Sequence, residues 1–178
     1  MKVIALINTA ASSVGPNGRL RIKGVLGELG LADAEIVMFD PDAASAQMAG
    51  LISREPDILI VWGGDGTHRT ALSIAGPGYG NLLLLPGGTM NLLTKWIHGH
   101  ASWDTTLRAA VARRTTRLLD AGRVGDALFF CALLAGAPAR FAQAREDVRV
   151  GEFGRAMQDA GIAVEATHRL HLTADADA

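Results

Sequence analysis

A glycine-rich segment with one carboxylate and one hydroxyl follows a short aliphatic run in the first half of the chain. Val61-Trp62 leads into Gly63-Gly64-Asp65-Gly66-Thr67, and a helix-length stretch begins there. Glycines let successive backbone N–H groups converge on one concave spot without a Cβ in the way, and the start of the following helix adds partial positive charge. Phosphate oxygens suit such a spot. The segment, the first glycine loop (residues 63–67), therefore predicts phosphate binding.

The carboxylate inside this loop needs a partner of its own. Asp65 would repel a bound phosphate unless a cation lay between them, so we expect it to organise Mg²⁺, directly or through water. Thr67 is expected to cap the helix or to bond a phosphate. The alternative is a tight turn in which Asp65 and Thr67 only cap the helix. Three glycines around the carboxylate favour the phosphate loop over that turn.

A second loop of the same kind follows one helix later. An aliphatic run over 82–85 enters Pro86-Gly87-Gly88-Thr89-Met90-Asn91, and we name residues 87–91 the second glycine loop. Alone it is better explained as a capped turn. Asp65 and Thr89 are 24 residues apart, which is enough for a loop, a helix and the next parallel strand. Both loops are therefore expected at the carboxyl ends of strands in one sheet, where open α/β sheets bind ligands.

The elements that must hold these loops alternate along the first half of the chain. Short aliphatic runs predict parallel strands buried on both faces, and the segments between them are long enough for crossover helices. The predicted strands cover residues 3–7, 35–39, 58–62 and 82–85, and the predicted helices cover 18–29, 43–54 and 67–75. Asp42 is expected to cap the second of these helices. The fold class is a doubly wound parallel α/β sheet, the nucleotide-binding lobe.

The pattern changes after residue 115. Helices are predicted over 90–97 and 102–114, the latter capped by Ser102, and a hairpin is predicted around the turn Gly125-Asp126. A helix over 138–160 and a strand over 162–172 are expected to follow. We expect residues 1–115 to form a nucleotide-binding α/β domain and residues 116–178 to start a β-rich second lobe that is incomplete.

Composition excludes several classes of function. The 178 residues carry a formal net charge of −1, so no overall field recruits nucleic acid or an anionic membrane. Cys131 is the only cysteine, which excludes an internal disulfide and a cysteine metal cluster, and its apolar neighbours predict a buried position. The opening residues lack a signal-peptide pattern, and the apolar run over 127–139 is too short to span a bilayer. A cytoplasmic protein is expected.

Together the two loops resemble one enzyme family. GGDGT at 63–67 followed by LPGGTMN at 85–91 is similar to the motifs of diacylglycerol kinases, sphingosine kinases and bacterial lipid kinases, a resemblance that spans about residues 2–136. It implies ATP and Mg²⁺ bound between this lobe and a β-sandwich lobe, and phosphorylation of a lipid hydroxyl at a membrane surface. It further implies that nucleotide or its metal is bound by Asn8, Gly63, Gly64, Asp65, Gly66, Thr67, Gly88, Thr89 and Asn91.

The chain departs from the family pattern at four places. Thr70 and Leu92 stand where the family has carboxylates, Phe39-Asp40 replaces a threonine, and residues 134–138 lack the usual Gly-x-Asp ending. The family's general base comes from its β-rich lobe, so the resemblance assigns no catalytic residue in this chain. His68-Arg69 is interpreted as a pair of exposed helix residues, with a compensating pair of cations near phosphate as the alternative.

Three functions remain open from the sequence. The first is an ATP- and Mg²⁺-dependent kinase that phosphorylates diacylglycerol or a related lipid alcohol. The second is a non-catalytic nucleotide-binding module, which the missing carboxylates and the short second lobe favour. The third is a protein similar to NAD kinases, and the second glycine loop argues against it. A homodimer is left open, and nucleotide and lipid are the expected partners.

Overall fold

The computed structural model describes residues 1–131, which form one compact unit. The helix predicted over 138–160 and the strand predicted over 162–172 lie outside the described residues. Strands and helices follow one another as β1 (Val3–Ile7), α1 (Gly18–Glu28), β2 (Glu35–Met38), α2 (Ala44–Ile52), β3 (Ile58–Gly63), α3 (Asp65–Ala75), β4 (Leu82–Pro86), α4 (Leu92–His98), α5 (Trp103–Arg113), β5 (Gly122–Val124) and β6 (Ala127–Phe129).

The first four strands form one parallel sheet in the order β2-β1-β3-β4. The chain leaves β1 to one side to make β2 and then crosses back over β1 to make β3. Strand order therefore reverses between β1 and β3, and such a switch point opens a crevice at the carboxyl ends of the strands. The predicted doubly wound α/β fold is confirmed.

Alternating side chains of the strands fill two hydrophobic cores, one on each face of the sheet. Ala5 and Ile7 face α1 and α5, and Ile4 and Leu6 face α2, α3 and α4. Every residue of β1 is buried, whereas the ends of β2 are exposed because β2 is an edge strand. The expectation that all four strands are buried on both faces is therefore wrong for β2.

Two helix starts test the predicted caps. Ser102 Oγ accepts a hydrogen bond from the amide of Thr105 at the start of α5, as predicted. Asp42 does not cap α2, because the capping position belongs to Ala43 and no side chain bonds there. The amide of Asp42 donates to Asp40 Oδ1 at 3.0 Å. The predicted cap at Asp42 is therefore wrong, because the capping position lies one residue later in the chain.

The hairpin that begins a second sheet is confirmed. Strands β5 and β6 pair in antiparallel fashion, Val124 opposite Ala127, around a turn in which Gly125 has a φ of 55°. Strand β6 ends two residues before Cys131, which is exposed, so the predicted burial of this thiol is wrong. Within residues 1–131, none of the helices is both long and apolar enough to cross a bilayer.

Candidate functional site

The two glycine loops lie side by side at the carboxyl ends of β3 and β4, as predicted. Gly63 is in register with Pro86, and the amide of Gly87 donates to Gly63 O at 2.8 Å. A Cβ placed on Gly88 would lie 2.8 Å from the Cα of Gly64, closer than real Cβ contacts allow. Glycine is therefore required at residue 88 because two backbones touch, a reason separate from any ligand.

Asp65 joins the first loop to the helix that follows the second loop. Its Oδ2 accepts from the amide of Leu92 and its Oδ1 from the amide of Leu93, both at 3.1 Å. These are the first two amides of α4, and amides at a helix start have no acceptor within their own helix. Asp65 therefore caps α4 rather than its own helix α3, a role that the local sequence pattern did not indicate.

Asn91 closes the second glycine loop on itself. Its Oδ1 accepts from the amide of Gly88 and its Nδ2 donates to Gly88 O, each at 2.8 Å. Its backbone is left-handed, with a φ of 52°, a conformation that asparagine tolerates better than most residues. The amide of Gly88 is consequently occupied by Asn91, so the side chain of Asn91 builds the loop.

Asn8 and Thr67 meet across the switch point between β1 and β3. Asn8 Nδ2 donates to Thr67 Oγ1 at 2.9 Å, and Asn8 Oδ1 accepts from the amide of Ala10. Because the Thr67 hydroxyl accepts from Asn8, its own proton is left for another acceptor. Gly64, not Thr67, holds the capping position of α3.

The first turn of α3 has amides without a hydrogen-bond acceptor in the helix. The amide of His68 is the first to bond along the helix, to Gly64 O at 3.1 Å, and the amides before it lack intrahelical acceptors. Gly66 is exposed, and a Cβ built there meets no atom within 4 Å. Open amides and the helix dipole together favour a bound anion at this end of α3.

His68 is fully buried behind the loops, so both interpretations made from the sequence are wrong. Its Nε2 lies 3.1 Å from Leu85 O in β4. Burial lowers the pKa of His68 to about 4, against the attraction of the nearby Asp65 carboxylate. The ring is therefore neutral at pH 7 and ties α3 to β4.

The two residues that follow His68 in the chain, Arg69 and Thr70, are not buried in this core. Arg69 is exposed and lines a cleft of about 420 Å³ together with Ser45 and Arg123. Thr70 Oγ1 donates to Gly66 O at 3.2 Å, which adds a side-chain bond to the first turn of α3. The prediction that Arg69 compensates phosphate charge stays a prediction.

A segment that the sequence analysis did not single out forms hydrogen bonds with the second glycine loop. We name residues 11–14, between β1 and α1, the clamp. The amide of Ser13 donates to Gly87 O at 2.8 Å and its hydroxyl to Gly88 O at 3.1 Å. The hydroxyls of Ser12 and Thr89 lie 3.1 Å apart. These partners are 74 to 77 residues away in the chain, so no local pattern could reveal them.

An arginine on α1 holds the clamp. Arg21 Nη1 donates to Ser13 O at 3.1 Å and to Val14 O at 3.2 Å. Its guanidinium carbon lies 5.2 Å from the ring centres of both Trp62 and Trp103, which stack with centroids 4.2 Å apart. The two tryptophans thus pack together beside the guanidinium that holds the clamp.

Apolar side chains are exposed next to the second loop. Met90, Leu92 and Trp96 are 46%, 43% and 47% exposed, and the guanidinium carbon of Arg117 lies 4.8 Å from the centre of the Trp96 ring. Trp96 therefore differs from Trp62 and Trp103, because nearly half of its surface is open to solvent.

Comparison with known proteins supplies a family. The sequence model of the diacylglycerol kinase catalytic domain matches residues 2–124. A crystal structure of a diacylglycerol kinase from Bacillus anthracis str. Sterne matches with a TM-score of 0.58 at 20% identity, covering 72% of this chain and 49% of that one. A structure of a candidate diacylglycerol kinase from the same strain has a TM-score of 0.57 at 19% identity, covering 72% and 45%. The chain thus spans about half the length of these proteins.

Proposed function

This chain belongs to the diacylglycerol kinase catalytic domain family, and we propose that it binds ATP on the two glycine loops for phosphorylation of a lipid alcohol such as diacylglycerol. The observation that carries the proposal is the contact between the loops at the carboxyl ends of β3 and β4, beside the open amides of α3. In this proposal residues 1–115 hold the nucleotide, and residues 116–178 begin the β-rich lobe.

The proposed nucleotide contacts divide into two groups. The amides of residues 64–67 and the hydroxyls of Thr67 and Thr89 would donate to phosphate oxygens. Asn8, Gly63, Gly88 and Asn91 would act mainly by shaping the loops, because the amide side chains of both asparagines are hydrogen-bonded within the protein. This division refines the sequence-based expectation, in which all of these residues contact nucleotide or its metal.

Asp65 is the proposed metal residue. Each of its oxygens accepts one amide bond, which leaves a second lone pair on each for a cation or for water bound to it. Such a donor set fits Mg²⁺, which usually keeps several waters and takes only one or two protein carboxylates together with substrate phosphates. When bound, Mg²⁺ would neutralise negative charge on the phosphates during transfer.

The acceptor side of the reaction needs groups beyond these loops. We propose that a general base for the lipid hydroxyl comes from residues outside 1–131 or from a second copy in a homodimer, since Thr70 and Leu92 cannot accept that proton at neutral pH. The exposed Met90, Leu92 and Trp96 support an acceptor with hydrocarbon chains, presented at the cytoplasmic surface of a membrane.

A non-catalytic nucleotide-binding module is the second candidate. It is favoured by Thr70, whose hydroxyl bonds within α3, and by Leu92, which is exposed at the start of α4. Neither supplies the negative charge that the family pattern has at these positions. Nucleotide binding without phosphate transfer to any lipid would decide for this candidate.

The experiment that tests the nucleotide site uses Gly66→Ala. A Cβ at Gly66 has open space, so the variant should fold and gain up to about 1 kcal/mol from alanine's higher helix propensity. Bound phosphate would occupy that space, so calorimetry should show MgATP binding weakened about tenfold or more, as expected for a lost phosphate contact. Gly50→Ala in α2 is the matched control, because its Cβ also meets nothing within 4 Å. Equal affinities in the two variants would contradict the proposed site.

A further inference from the structure

We infer that Arg21 is a positioning residue for the second glycine loop, which it holds through the clamp at residues 11–14. Arg21 makes its hydrogen bonds to clamp carbonyls, and the clamp in turn bonds Gly87, Gly88 and Thr89. The consequence for nucleotide affinity rests on the proposed function. The effect of Arg21 on the position of the clamp does not depend on the proposed function.

The clamp is held partly by the hydrophobic core, in which Val14 is buried and against which Ala11 packs. It lies in an irregular connection whose internal backbone bonds are turns, from the amide of Ala11 to Asn8 O and from the amide of Val14 to Ala11 O. Its last two carbonyls, those of Ser13 and Val14, accept from a single guanidinium nitrogen of Arg21. Hydrogen bonds from a charged donor are stronger than those between neutral groups, so Arg21, although exposed, adds to the core packing of Val14 in holding the clamp in place.

Arg21 is itself held by two tryptophans from different elements. Trp62 comes from the buried strand β3 and donates from Nε1 to Pro86 O at 3.1 Å, while Trp103 begins α5. The guanidinium lies within cation–π distance of both rings. Arg21 therefore fixes the clamp relative to α1, β3 and α5 together. Lysine lacks the planar fork of donors that allows stacking and hydrogen bonding at once.

The clamp then determines where the second loop lies. Val14 is buried, and a Cβ on Gly87 would come within 2.5 Å of its Cγ2, so the side chain sits directly on the loop backbone. Ser13 donates hydrogen bonds to the carbonyls of Gly87 and Gly88, and the hydroxyl of Ser12 lies beside that of Thr89. Because Asn91 bonds Gly88 from within the loop and the amide of Gly87 bonds Gly63 O, loss of the clamp would release the loop mainly at residue 89.

The test compares Arg21→Met, Arg21→Lys and the control Arg19→Met, an exposed arginine on the same helix. Hydrogen exchange is measured on the nucleotide-free protein. In Arg21→Met the amide of Ser13, which bonds Gly87 O, should exchange about tenfold faster or more, as expected for loss of charged hydrogen bonds. Amides in β1 and β3 should change less than about twofold. Arg21→Lys should be intermediate, and Arg19→Met should match the unaltered protein.

Calorimetry with MgADP supplies the second measurement. Affinity should fall about tenfold in Arg21→Met and less in Arg21→Lys, because a mobile loop must be ordered on binding. Unchanged exchange at Ser13 in Arg21→Met would overturn the inference. If the unaltered protein does not bind MgADP, the proposed function fails while the exchange result still decides on Arg21. If Arg21→Met unfolds, seen as fast exchange throughout β1 and β3, the exchange rate at Ser13 in Arg21→Lys decides.

Discussion

At the scale of single residues, His68 shows how a side chain behind the loops can control their stability. Its neutral ring bonds Leu85 O and fills space between α3 and β4. Burial is the main cause of its lowered pKa, since the charged form would lose its hydration. Protonation of His68 should therefore weaken the contact between the two elements that carry the glycine loops.

This gives a pH-dependent prediction. The folded pKa of His68 is about 4, below the ordinary value of 6.5, so the unfolded chain binds the proton more tightly. Neutral His68 contributes roughly 3 kcal/mol in all to the free energy of unfolding. This contribution is fully present above pH 6.5 and is lost as the pH falls toward 4. Urea unfolding at pH 7 and pH 4.5 should show this loss, and His68→Gln should reduce it while keeping a donor for Leu85 O. The same pH slope in both proteins would argue against His68.

Asp65 gives a second prediction, in which the effect of its negative charge is distinguished from the effect of its capping hydrogen bonds. Asp65→Ala removes both acceptors of the α4 amides and should cost about 1–2 kcal/mol. Asp65→Asn keeps one oxygen acceptor and should cost less than half of that. Both variants should lose the Mg²⁺ dependence of nucleotide binding, because neither carries the negative charge. Thermal unfolding and calorimetry at several Mg²⁺ concentrations measure the two effects. Retained Mg²⁺ dependence in Asp65→Asn would count against the proposed metal role.

At this scale the sequence singled out two loops that the structure brings together, and it missed part of what their residues contact. The residue types predicted phosphate binding by residues 63–67 and 87–91, because glycine amides and hydroxyl groups donate to phosphate oxygens and a carboxylate can hold the accompanying cation. The contacts of Asp65 with α4 and of Ser13 with Gly87 depend on which strands pair, and sheet pairing is not a local property. Burial of His68 was missed because a histidine beside an arginine looks like part of a polar helix face.

At the scale of elements, the contact between the glycine loops gives a third prediction. A Cβ on Gly88 would lie 2.8 Å from the Cα of Gly64, where backbone and not a flexible side chain must move. Gly88→Ala should therefore destabilise the protein by about 1–3 kcal/mol, the range typical of overpacking. Gly66→Ala, with open space, should show no such loss. Thermal unfolding compares the two, and an unaltered midpoint for Gly88→Ala would contradict the close approach.

Elements were predicted better than their caps and edges. Aliphatic runs fixed the four strands to within a residue or two, because buried parallel strands have few alternatives in composition. The cap of α2 was assigned to Asp42, one residue early, because α2 begins at Ala44 and its capping position belongs to Ala43. Exposure of β2 could not be predicted because the sequence does not say which strand lies at the edge.

At the scale of the whole molecule, phosphate transfer gives a fourth prediction. Transfer needs groups on two sides of the nucleotide, and residues 1–131 provide the loops on one side. Thr70 and Leu92 replace two carboxylates of the family pattern, so the protein should phosphorylate lipid far below the usual kinase range of about 1–100 per second. An assay with labelled ATP, Mg²⁺ and diacylglycerol micelles should show traces of product. Turnover at kinase rates that Asp65→Ala abolishes would refute this and favour a complete enzyme, such as a homodimer.

The central place of β1 in the sheet also has a consequence for the order of folding. The strand closest to the N-terminus lies between β2 and β3, and Asn8 at its end bonds Thr67, 59 residues away. During synthesis β1 can pair with β2 first, but its second neighbour emerges only after α2. Closing so long a segment costs conformational entropy before the contacts between β1 and β3 can offset it. The crevice that carries the glycine loops is therefore expected to form late in folding, and a refolding measurement should find ligand affinity recovering after most of the helical signal.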